Sequence, residues 1–274
     1  MRIPRALMET WSHEPTWLAR LPELVVACAE KWTLVLEDPI DTPTSLVIPA
    51  GDVVLKLNAP SHSEADHEAD ALRVWNGNSA VRLLDHDDER RALLLERCRP
   101  GTELWHARVD QIDVVTELLP SLQIDLEDAD PFTVLADEAD RWAEEVQWRY
   151  AEAGTPFERE LLETALDVYR TVDRSATWLV NQDLHGGNVL RATREPWLVI
   201  DPKPLAGERE LEATGLLRNA DDVSRWLDAL ADFGFDRERA RGWGVAHNLA
   251  WAWDERDGWL PRHVEEARRV LTAQ

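Results

Sequence analysis

The spacing of apolar residues changes once along the chain, at Pro100 and Gly101, and this change restricts the folds available to it. Before that point, short apolar runs of β type alternate with turn residues, at positions 33–37, 45–49, 52–57, 80–85 and 91–96. After it come amphipathic helical patterns and one strand–loop–strand segment, at positions 108–119, 131–153, 156–174 and 177–201. A sheet-rich part followed by a mostly helical part is typical of an α+β protein.

The junction between these parts, ERCRPG, resembles a tight hinge more than a flexible tether, because it lacks the Pro/Ser-rich or Gly/Ser-rich composition of a linker. We therefore predict an N-lobe over residues 1–98, with an N-terminal helix, an antiparallel sheet and one further helix. A helical C-lobe is predicted over residues 99–274. A cleft between two lobes is the expected place for a ligand.

Composition narrows the class of protein and of partner. The 274 residues include 53 acidic and 30 basic side chains, a formal net charge of −23, which disfavours nucleic acid and anionic membranes as partners. Such a surface concentrates cationic small molecules or simply keeps the protein in solution. No apolar run approaches the roughly 20 residues of a membrane span, and the N-terminus lacks a signal-peptide core. With Cys28 and Cys98 in apolar contexts, we predict a cytoplasmic protein without disulfides.

The segment NQDLHGGNVL places Asp183 and Asn188 between two apolar runs, and the second run ends at Asp201. Phosphoryl transfer from a nucleotide needs a carboxylate that takes the proton of the acceptor hydroxyl, and oxygen ligands that hold Mg²⁺. Asp183 is therefore the candidate base, and Asn188 and Asp201 are candidate magnesium ligands. An Asx-capped hairpin turn is the alternative interpretation of this segment.

Three other residues of this segment have expected structural roles. Gly186 and Gly187 are expected to let the loop turn sharply, so that Asp183 and Asn188 reach the same side. His185 is expected to pack within the loop, because one His without a second nearby makes a poor transition-metal site.

A lysine, Lys56, lies inside the apolar run VVLKL, where burial of an unpaired ammonium is costly. Glu68 is its candidate partner, because it falls on an apolar helical stripe with Ala65, Leu72 and Trp75. This pair would hold Lys56 toward phosphate oxygens. The alternative is an edge-strand lysine that reaches water and a glutamate at the margin of the stripe.

The order of these motifs resembles that of the aminoglycoside phosphotransferases with a kinase-like fold. More closely, the segments ALRVWNG, AVRLLDHD, ALLLERCRPGT, DLHGGNVLR and WLVIDPK look like the branch of streptomycin and hydroxyurea phosphotransferases, the aminoglycoside/hydroxyurea antibiotic resistance kinases. The similarity runs from residue 30 or so to residue 219.

This resemblance implies a bilobal protein-kinase-like fold and an ATP-dependent small-molecule kinase that uses Mg²⁺. Adenine would lie against the backbone of Glu96 to Cys98, and Lys56 would contact the α- and β-phosphates. Because the segment EDPIDTPTS contains no Gly, backbone N–H groups near Thr44 and Ser45 would cover the phosphates in place of a Gly-rich loop.

Two departures from the family pattern affect the catalytic loop. Family members commonly begin this loop with His-Gly-Asp, whereas this chain has Asn181 and Gln182 before Asp183. We expect Asn181 to hydrogen-bond the loop backbone. Where relatives carry an Asp after the magnesium strand, this chain offers Glu212, a longer carboxylate whose structural role is open.

The acceptor is expected to bind in the C-terminal part, where NLAWAWDERDGW places aromatic rings beside carboxylates. Cation–π and ionic contacts of this kind suit an amine or a guanidinium. The predicted acceptor residues are Trp251, Asp254, Glu255 and Asp257. They favour an amine-bearing acceptor, either an aminoglycoside such as streptomycin or an amino sugar such as glucosamine.

Two other functions remain as alternatives. A catalytically silent kinase-fold binding protein is disfavoured because Lys56, Asp183, Asn188 and Asp201 are all present. A metal-dependent phosphoesterase using Asp183, His185 and Asp201 would need a richer His/Asp cluster than this sequence contains.

Overall fold

The computed structural model describes residues 2–254 and 257–274, and its chain forms two compact units. The first unit contains Met1–Thr102 together with Leu190–Asp201, and the second contains Glu103–Val189 together with Pro202–Gln274. The first unit therefore extends past the limit at residue 98 expected from the sequence. It also includes a short segment from much later in the chain.

Helices (α) and strands (β) are numbered here in chain order. Up to Thr102 they are α1 (Arg5–Thr10), α2 (Pro15–Trp32), β1 (Ser45–Ala50), β2 (Val53–Asn58), α3 (Glu68–Trp75), β3 (Leu83–Asp87) and β4 (Ala92–Glu96). From there to the catalytic motif they are α4 (Gln111–Leu122), β5 (Ile124–Asp125), α5 (Leu135–Glu152), α6 (Arg159–Arg170) and β6 (Trp178–Asn181). The remainder are β7 (Val189–Arg191), β8 (Trp197–Val199), β9 (Pro204–Gly207), α7 (Ala213–Arg218), α8 (Val223–Phe233), α9 (Arg237–Ala250), β10 (Trp253–Asp254), β11 (Gly258–Trp259) and α10 (Pro261–Thr272).

The sheet of the first unit is antiparallel, with strand order β1-β2-β4-β3. One face packs against α1 and α2 in an apolar core that includes Leu21, Cys28, Leu55 and Leu57. Because side chains alternate along a strand, Lys56 points to the opposite face from Leu55 and Leu57. The sheet therefore directs one lysine away from its own apolar core.

The segment Leu190–Asp201 is fixed to the first unit by Arg194. Its guanidinium donates to the main-chain oxygens of Gly77 (2.6 Å) and Ala80 (2.8 Å), and to the carboxylate of Glu96 at 2.9–3.1 Å. The N–H of Val81 also donates to the main-chain oxygen of Val199 in β8 (3.0 Å). These contacts hold β8 against the first unit, and Asp201, two residues after β8, lies there as well.

The second unit is mainly helical. Helix α9 packs against α6, α7 and α10, and Trp243 of this helix is fully buried. A small antiparallel sheet in the order β5-β6-β9 carries the chain to Asn181, where the segment NQDLHGGNVL begins. None of the helices in the described parts of the chain has the length and hydropathy required to cross a membrane.

Most predicted elements are present, but the strand expected at 33–37 is wrong. After α2 the chain turns at Thr33, which adopts a left-handed conformation (φ 53°), and Val35 is 87% exposed. The following prolines, Pro39 and Pro43, lack the N–H groups that a ladder requires. The chain reaches the sheet only through isolated contacts, such as the bridge between Ile40 and Val47.

Candidate active site

In the first unit, one ammonium group lies between two carboxylates. The Nζ of Lys56 is 2.7 and 2.6 Å from the two carboxylate oxygens of Glu68. It is also 2.6 Å from Oδ1 of Asp201. Lys56 and Glu68 are 4% and 1% exposed, so this pair is removed from water. The structure therefore forms the Lys56–Glu68 pair expected from the sequence and adds Asp201 to it.

The carboxylates keep this lysine protonated. Burial lowers the pKa of Lys56, but the carboxylates of Asp201 and Glu68 outweigh burial, and the pKa is raised above its usual value. Burial raises the pKa of Glu68, and the charge of Lys56 opposes that shift. With both carboxylates ionised, one positive and two negative side chains make the Lys56–Glu68–Asp201 cluster net negative. A net negative cluster attracts a cation.

A hydrogen-bond chain holds Glu68 from the sheet. The hydroxyl of Ser45 donates to Oδ1 of Asn58 (2.6 Å), and Nδ2 of Asn58 donates to Oε2 of Glu68 (3.2 Å). Ser45 and Asn58 are both buried. The side chain of Ser45 thus helps to hold Glu68 through Asn58. The phosphate contact expected of Ser45 concerns only its backbone N–H.

Asp201 has an unusual backbone conformation at the point where the first unit ends. Its φ of 49° lies in the left-handed region, which Asp tolerates better than most residues. Backbone outliers of this kind persist where the surroundings hold them, and they cluster at functional sites. The side chain of Asp201 is 26% exposed, so it remains accessible to a ligand while it contacts Lys56.

Glu96 is the last residue of β4, and Cys98 follows that strand by two residues. The carboxylate of Glu96 is held by Arg194, and its N–H donates to the main-chain oxygen of Arg82 (3.0 Å). Burial, with Glu96 nearby, raises the pKa of Cys98 to about 12, so its thiol stays neutral. The adenine contact expected at these residues concerns their backbone and stays a prediction.

In the second unit, the loop after β6 brings the candidate base and one candidate metal ligand together. Asn188 donates through Nδ2 to the main-chain oxygen of Asp183 (3.1 Å) and to its Oδ2 (3.4 Å). Oδ1 of Asn181 accepts hydrogen bonds from the N–H groups of Asp183 (3.1 Å) and Lys203 (3.0 Å). The expectation that Asn181 bonds the loop backbone is confirmed.

The two loop glycines are needed for a reason other than the predicted one. Neither Gly186 nor Gly187 has a positive φ. A Cβ on Gly186 would lie 2.3 Å from Cδ1 of Trp105, and one on Gly187 would lie 2.6 Å from Cζ3 of the same ring. The indole of Trp105 also stacks on His185, with centroids 4.6 Å apart. The glycines therefore admit an aromatic ring against the loop.

Two cations that sequence reasoning missed lie beside Asp183. Nζ of Lys203 is 3.3 Å from Oδ2 of Asp183, and Nη1 of Arg218 is 3.7 Å from Oδ1. All three side chains are about nine-tenths buried. Lys203 follows Asp201 by two residues, so its place beside a candidate ligand could have identified it from the sequence. Arg218 is the last residue of an apolar helix, and no motif surrounds it.

Glu212 lies beneath the start of this loop and is fully buried. Its Oε2 accepts a hydrogen bond from Gln123 (3.2 Å), while Oε1 has no hydrogen-bond partner among the described residues. Burial raises the pKa of Glu212 to about 7, although hydrogen bonds from Gln123 and the backbone of Asn181 oppose the shift. Glu212 thus supports the first residue of the loop from below.

The model of the aminoglycoside/hydroxyurea antibiotic resistance kinase family matches residues 31–258. The chain belongs to this family. It is 36% identical to a streptomycin 6-kinase of Streptomyces glaucescens, over 94% of this chain and 92% of that one. It is also 35% identical to a hydroxyurea phosphotransferase of Kitasatospora aureofaciens, over 92% of this chain and 78% of that one. The chain is therefore a small-molecule kinase, a phosphotransferase with an alcohol group as acceptor.

Solved structures agree on the fold of this kinase. It resembles the choline kinase LicA from Streptococcus pneumoniae with a TM-score of 0.65 and 11% identity, over 91% of this chain and 98% of that one. The predicted bilobal α+β kinase-like fold is confirmed. The described residues contain no group of three His, Cys, Asp or Glu side chains placed to hold a metal ion.

The predicted acceptor residues of this kinase lie in and beside the β10–β11 hairpin. Oδ1 of Asp254 accepts a hydrogen bond from the N–H of Asp257 (3.0 Å), and Asp257 is exposed. The ring of Trp251 carries the guanidinium of Arg218, 4.3 Å from the ring centroid. A cation of the protein thus already occupies one face of Trp251. Glu255 lies outside the described residues.

A cavity of about 280 Å³ adjoins the catalytic loop within the second unit. Its walls combine an aromatic ring, loop atoms and polar side chains, among them Trp105, His185, Gly186, Asn219, Asp221 and Asp222. Its charged lining residues are Asp110, Asp221, Asp222 and Arg225, and Arg225 is paired with Asp110. No local sequence pattern marked them. The cavity borders the loop that carries Asp183.

Proposed function

We propose that this kinase transfers the γ-phosphoryl group of ATP to a hydroxyl of a small, amine-bearing acceptor, with streptomycin as the first candidate. The observation that carries the proposal is the loop in which Asn188 holds Asp183 by two hydrogen bonds. This is the arrangement that a base and an adjacent oxygen ligand require in phosphoryl transfer. Similarity to streptomycin 6-kinases supports streptomycin over other hydroxyl compounds.

In this proposal Asp183 is the base. Its carboxylate accepts the proton of the acceptor hydroxyl while that oxygen forms a bond to the γ-phosphorus. The bond between the γ-phosphorus and the bridging oxygen breaks, and ADP leaves with that electron pair. Asn188 fixes the carboxylate through Oδ2, so its orientation is set before the acceptor arrives.

The first unit supplies the nucleotide contacts. Lys56 contacts the α- and β-phosphates, and Glu68 keeps the ammonium in place at 2.6–2.7 Å. The backbone of Glu96 to Cys98 holds adenine, and the backbone near Thr44 and Ser45 covers the phosphates. Backbone contacts suit this role because both segments lie at ends of strands of one antiparallel sheet.

Asn188 and Asp201 fit Mg²⁺, which prefers oxygen ligands and retains waters and phosphate oxygens in its remaining positions. The amide nitrogen of Asn188 donates to Asp183, which leaves the amide oxygen as the ligand atom. Asp201 offers a carboxylate in a cluster that is net negative with Lys56 and Glu68. When bound, the ion neutralises charge on the transferred and leaving phosphates.

The acceptor is proposed to enter the cavity beside the loop. Asp221 and Asp222 give that cavity an acidic wall, and Trp105 gives it an aromatic one. An acidic wall near the phosphates of ATP is unfavourable unless the second substrate brings positive charge. An acceptor with amine or guanidinium groups satisfies this condition, and a neutral sugar does not.

The first experiment measures phosphoryl transfer from ATP–Mg²⁺ to streptomycin, glucosamine and hydroxyurea, with the products weighed by mass spectrometry. We expect one phosphoryl group on streptomycin and none when Asp183→Ala replaces the native enzyme. ATP binding without a phosphorylated product from any of the three would contradict the proposal and favour a binding protein.

The second experiment locates the acceptor site. Asp221→Asn and Asp222→Asn are compared with Asp254→Asn and Asp257→Asn, with KM for streptomycin as the measurement at saturating ATP. Asn retains the capping role of Asp222, which accepts a hydrogen bond from the N–H of Arg225 at the start of α8. A higher KM only in the first pair places the acceptor in the cavity, and a higher KM only in the second pair places it at the hairpin.

Salt dependence tests the charge of the acceptor. Association of a cationic acceptor with an acidic cavity should weaken as salt screens the field over a Debye length of roughly 8 to 10 Å. We expect kcat/KM for streptomycin to fall from low to moderate salt at saturating ATP. A flat response, together with unchanged KM in all four aspartate variants, would reject a cationic acceptor.

A further inference from the structure

Three buried side chains in contact with one another, Gln182, His247 and Arg218, connect the residue before Asp183 to a guanidinium beside the Asp183 carboxylate. Nε2 of His247 lies 3.1 Å from Oε1 of Gln182, the residue before Asp183. Nδ1 of His247 lies 3.0 Å from Nη2 of Arg218, whose Nη1 is 3.7 Å from Oδ1 of Asp183. His247 is fully buried, and Gln182 and Arg218 are 5% and 8% exposed. Thus Gln182, His247 and Arg218 form a continuous path inside the second unit.

The hydrogen-bond directions along this path follow from one constraint. An arginine carries only donors, so Nδ1 of His247 must accept from Arg218. Nε2 then bears the proton and donates to Oε1 of Gln182. Burial lowers the pKa of His247 well below its usual value, and the charge of Arg218 adds to this effect. A neutral histidine with one defined tautomer therefore links the loop to the arginine.

The guanidinium of Arg218 is also fixed from a second direction. Trp251 lies under it, with 4.3 Å between the guanidinium carbon and the ring centroid. The ring of Trp251 in turn contacts His247, with centroids 4.4 Å apart. A planar guanidinium held on an aromatic face and by a histidine has little freedom to rotate. Nη1 of this guanidinium is thereby directed toward Oδ1 of Asp183, at 3.7 Å.

We propose that Arg218 is a positioning residue for the base, and that Gln182, His247 and Trp251 form the frame that aims it. Lys203 and Asn188 contact Oδ2 of Asp183, whereas Arg218 approaches Oδ1 to 3.7 Å, as does Nε2 of His185. Polar or charged groups therefore lie beside both oxygens, which restricts rotation of the carboxylate about the side-chain bond. The inference rests on the proposed role of Asp183 as the base.

The test separates positioning from substrate binding. Streptomycin and ATP–Mg²⁺ are the substrates, and kcat and both KM values are measured for Arg218→Lys and Arg218→Met. A misplaced base lowers the rate of the chemical step by about 100-fold for a displacement near 1 Å. We expect a loss of that order in kcat for Arg218→Met and a smaller loss for Arg218→Lys, with KM for ATP–Mg²⁺ unchanged within about threefold.

His247 provides an independent pair of variants. Glutamine can accept from Arg218 through its oxygen and donate to Gln182 through its nitrogen, whereas leucine can do neither. We expect His247→Gln to keep most of kcat and His247→Leu to lose it nearly as far as Arg218→Met does. Rescue by glutamine would not follow from a role in filling space alone.

Arg239 is the matched control, because its guanidinium also lies between an aromatic ring and a carboxylate, but away from the catalytic loop. Its guanidinium lies 5.2 Å from the ring centroid of Trp243 and 2.6 Å from the carboxylate of Glu208. Arg239→Met should lower thermal stability and leave kcat per folded enzyme unchanged. An equal loss of kcat in Arg239→Met and Arg218→Met would show general loosening and overturn the proposal.

The remaining outcomes are also decisive. A rise in KM for either substrate with unchanged kcat would make Arg218 a ligand of that substrate and overturn its positioning role. If Arg218→Met does not fold, Arg218→Lys and the His247 pair decide by the same criteria. Asp183→Ala is measured alongside: normal turnover there rejects Asp183 as the base, whereas loss there with full kcat in the Arg218 and His247 variants rejects only this inference.

Discussion

Around Lys56 one ammonium lies between two carboxylates, whereas around Asp183 one carboxylate lies between two cations. The first cluster is net negative, which suits a site for a divalent cation. The second is net positive, which suits a base that works beside a transferring phosphoryl group. The two units therefore differ in the charge around their candidate residues: the proposed magnesium ligand Asp201 belongs to the first cluster, and the proposed base Asp183 belongs to the second.

The largest expected effect is a loss of kcat when the central carboxylate of the second cluster, Asp183, is removed. Asp183→Ala should lower kcat by about 10² to 10⁴-fold, because the acceptor hydroxyl loses its base. Binding of ATP–Mg²⁺, measured by calorimetry, should remain close to normal, because the base acts on the acceptor. A folded variant with near-normal turnover would contradict the assignment of this loop.

Next in size is the loss of the cation at the centre of the first cluster. Lys56→Met leaves Glu68 and Asp201 facing each other without their ammonium, and breaking such a pair costs about 3 kcal/mol or more in unfolding free energy. KM for ATP should also rise. Both effects are measured by chemical denaturation and steady-state kinetics.

The double variant Lys56→Met with Glu68→Leu sharpens this result. Removing both partners of a buried ion pair is often close to neutral for stability, so most of the lost unfolding free energy should return. Activity should not return, because no ammonium faces the phosphates. Recovery of activity together with stability would mean that Lys56 has only a structural role.

A smaller and conditional effect is expected for Asp201→Asn. The variant keeps the size of the side chain but replaces a charged ligand with a neutral one, so Mg²⁺ should bind more weakly. Raising the magnesium concentration should recover part of the activity, as measured by initial rates over a magnesium series. Equal loss at every concentration would show that Asp201 is not mainly a metal ligand.

The last prediction concerns stability alone. The pKa of Glu212 is raised from 4.5 to about 7, so the folded protein holds this proton over a range where the unfolded chain has released it. The stability from this group is complete below pH 4.5 and is lost as pH rises through 7, by about 3 kcal/mol. Glu212→Gln should remove that loss.

The measurement is the free energy of unfolding of both proteins from about pH 5 to about pH 8, a range that brackets the raised pKa. Relative to wild type, Glu212→Gln should gain stability as pH rises. Glu210→Gln, on the same turn of helix, is the matched control and should follow the wild-type curve. Parallel curves for wild type and Glu212→Gln would reject the raised pKa.

Sequence alone predicted the first cluster better than the second, for a physical reason. Strand alternation placed Lys56, a helical stripe placed Glu68, and the end of an apolar run placed Asp201. Each of these signals is local to one element. Asp183 and Asn188 were found in the same way, because they share a loop of a few residues.

The frame around Asp183 left no such signal. Gln182, Arg218 and His247 meet across sequence separations of 29 and 65 residues, and nothing in the pattern of one element records the position of another. The best available sign was the presence of Arg218 and His247 in helices whose buried residues are mostly apolar. The strand wrongly expected at 33–37 shows the opposite case, in which a local signal was present but misleading. The apolar run is of β type, but the prolines after it lack the N–H groups that a strand pairing requires.

The return of Leu190–Asp201 to the first unit has a consequence for synthesis of the protein on the ribosome. At about 5–20 residues per second, the roughly 90 residues after Thr102 take on the order of 5–20 s to emerge. During that interval the nascent first unit lacks Asp201 beside Lys56 and Arg194 beside Glu96. The first unit is therefore completed only after most of the second has been made, and a chain that stops before Leu190 leaves it without these partners.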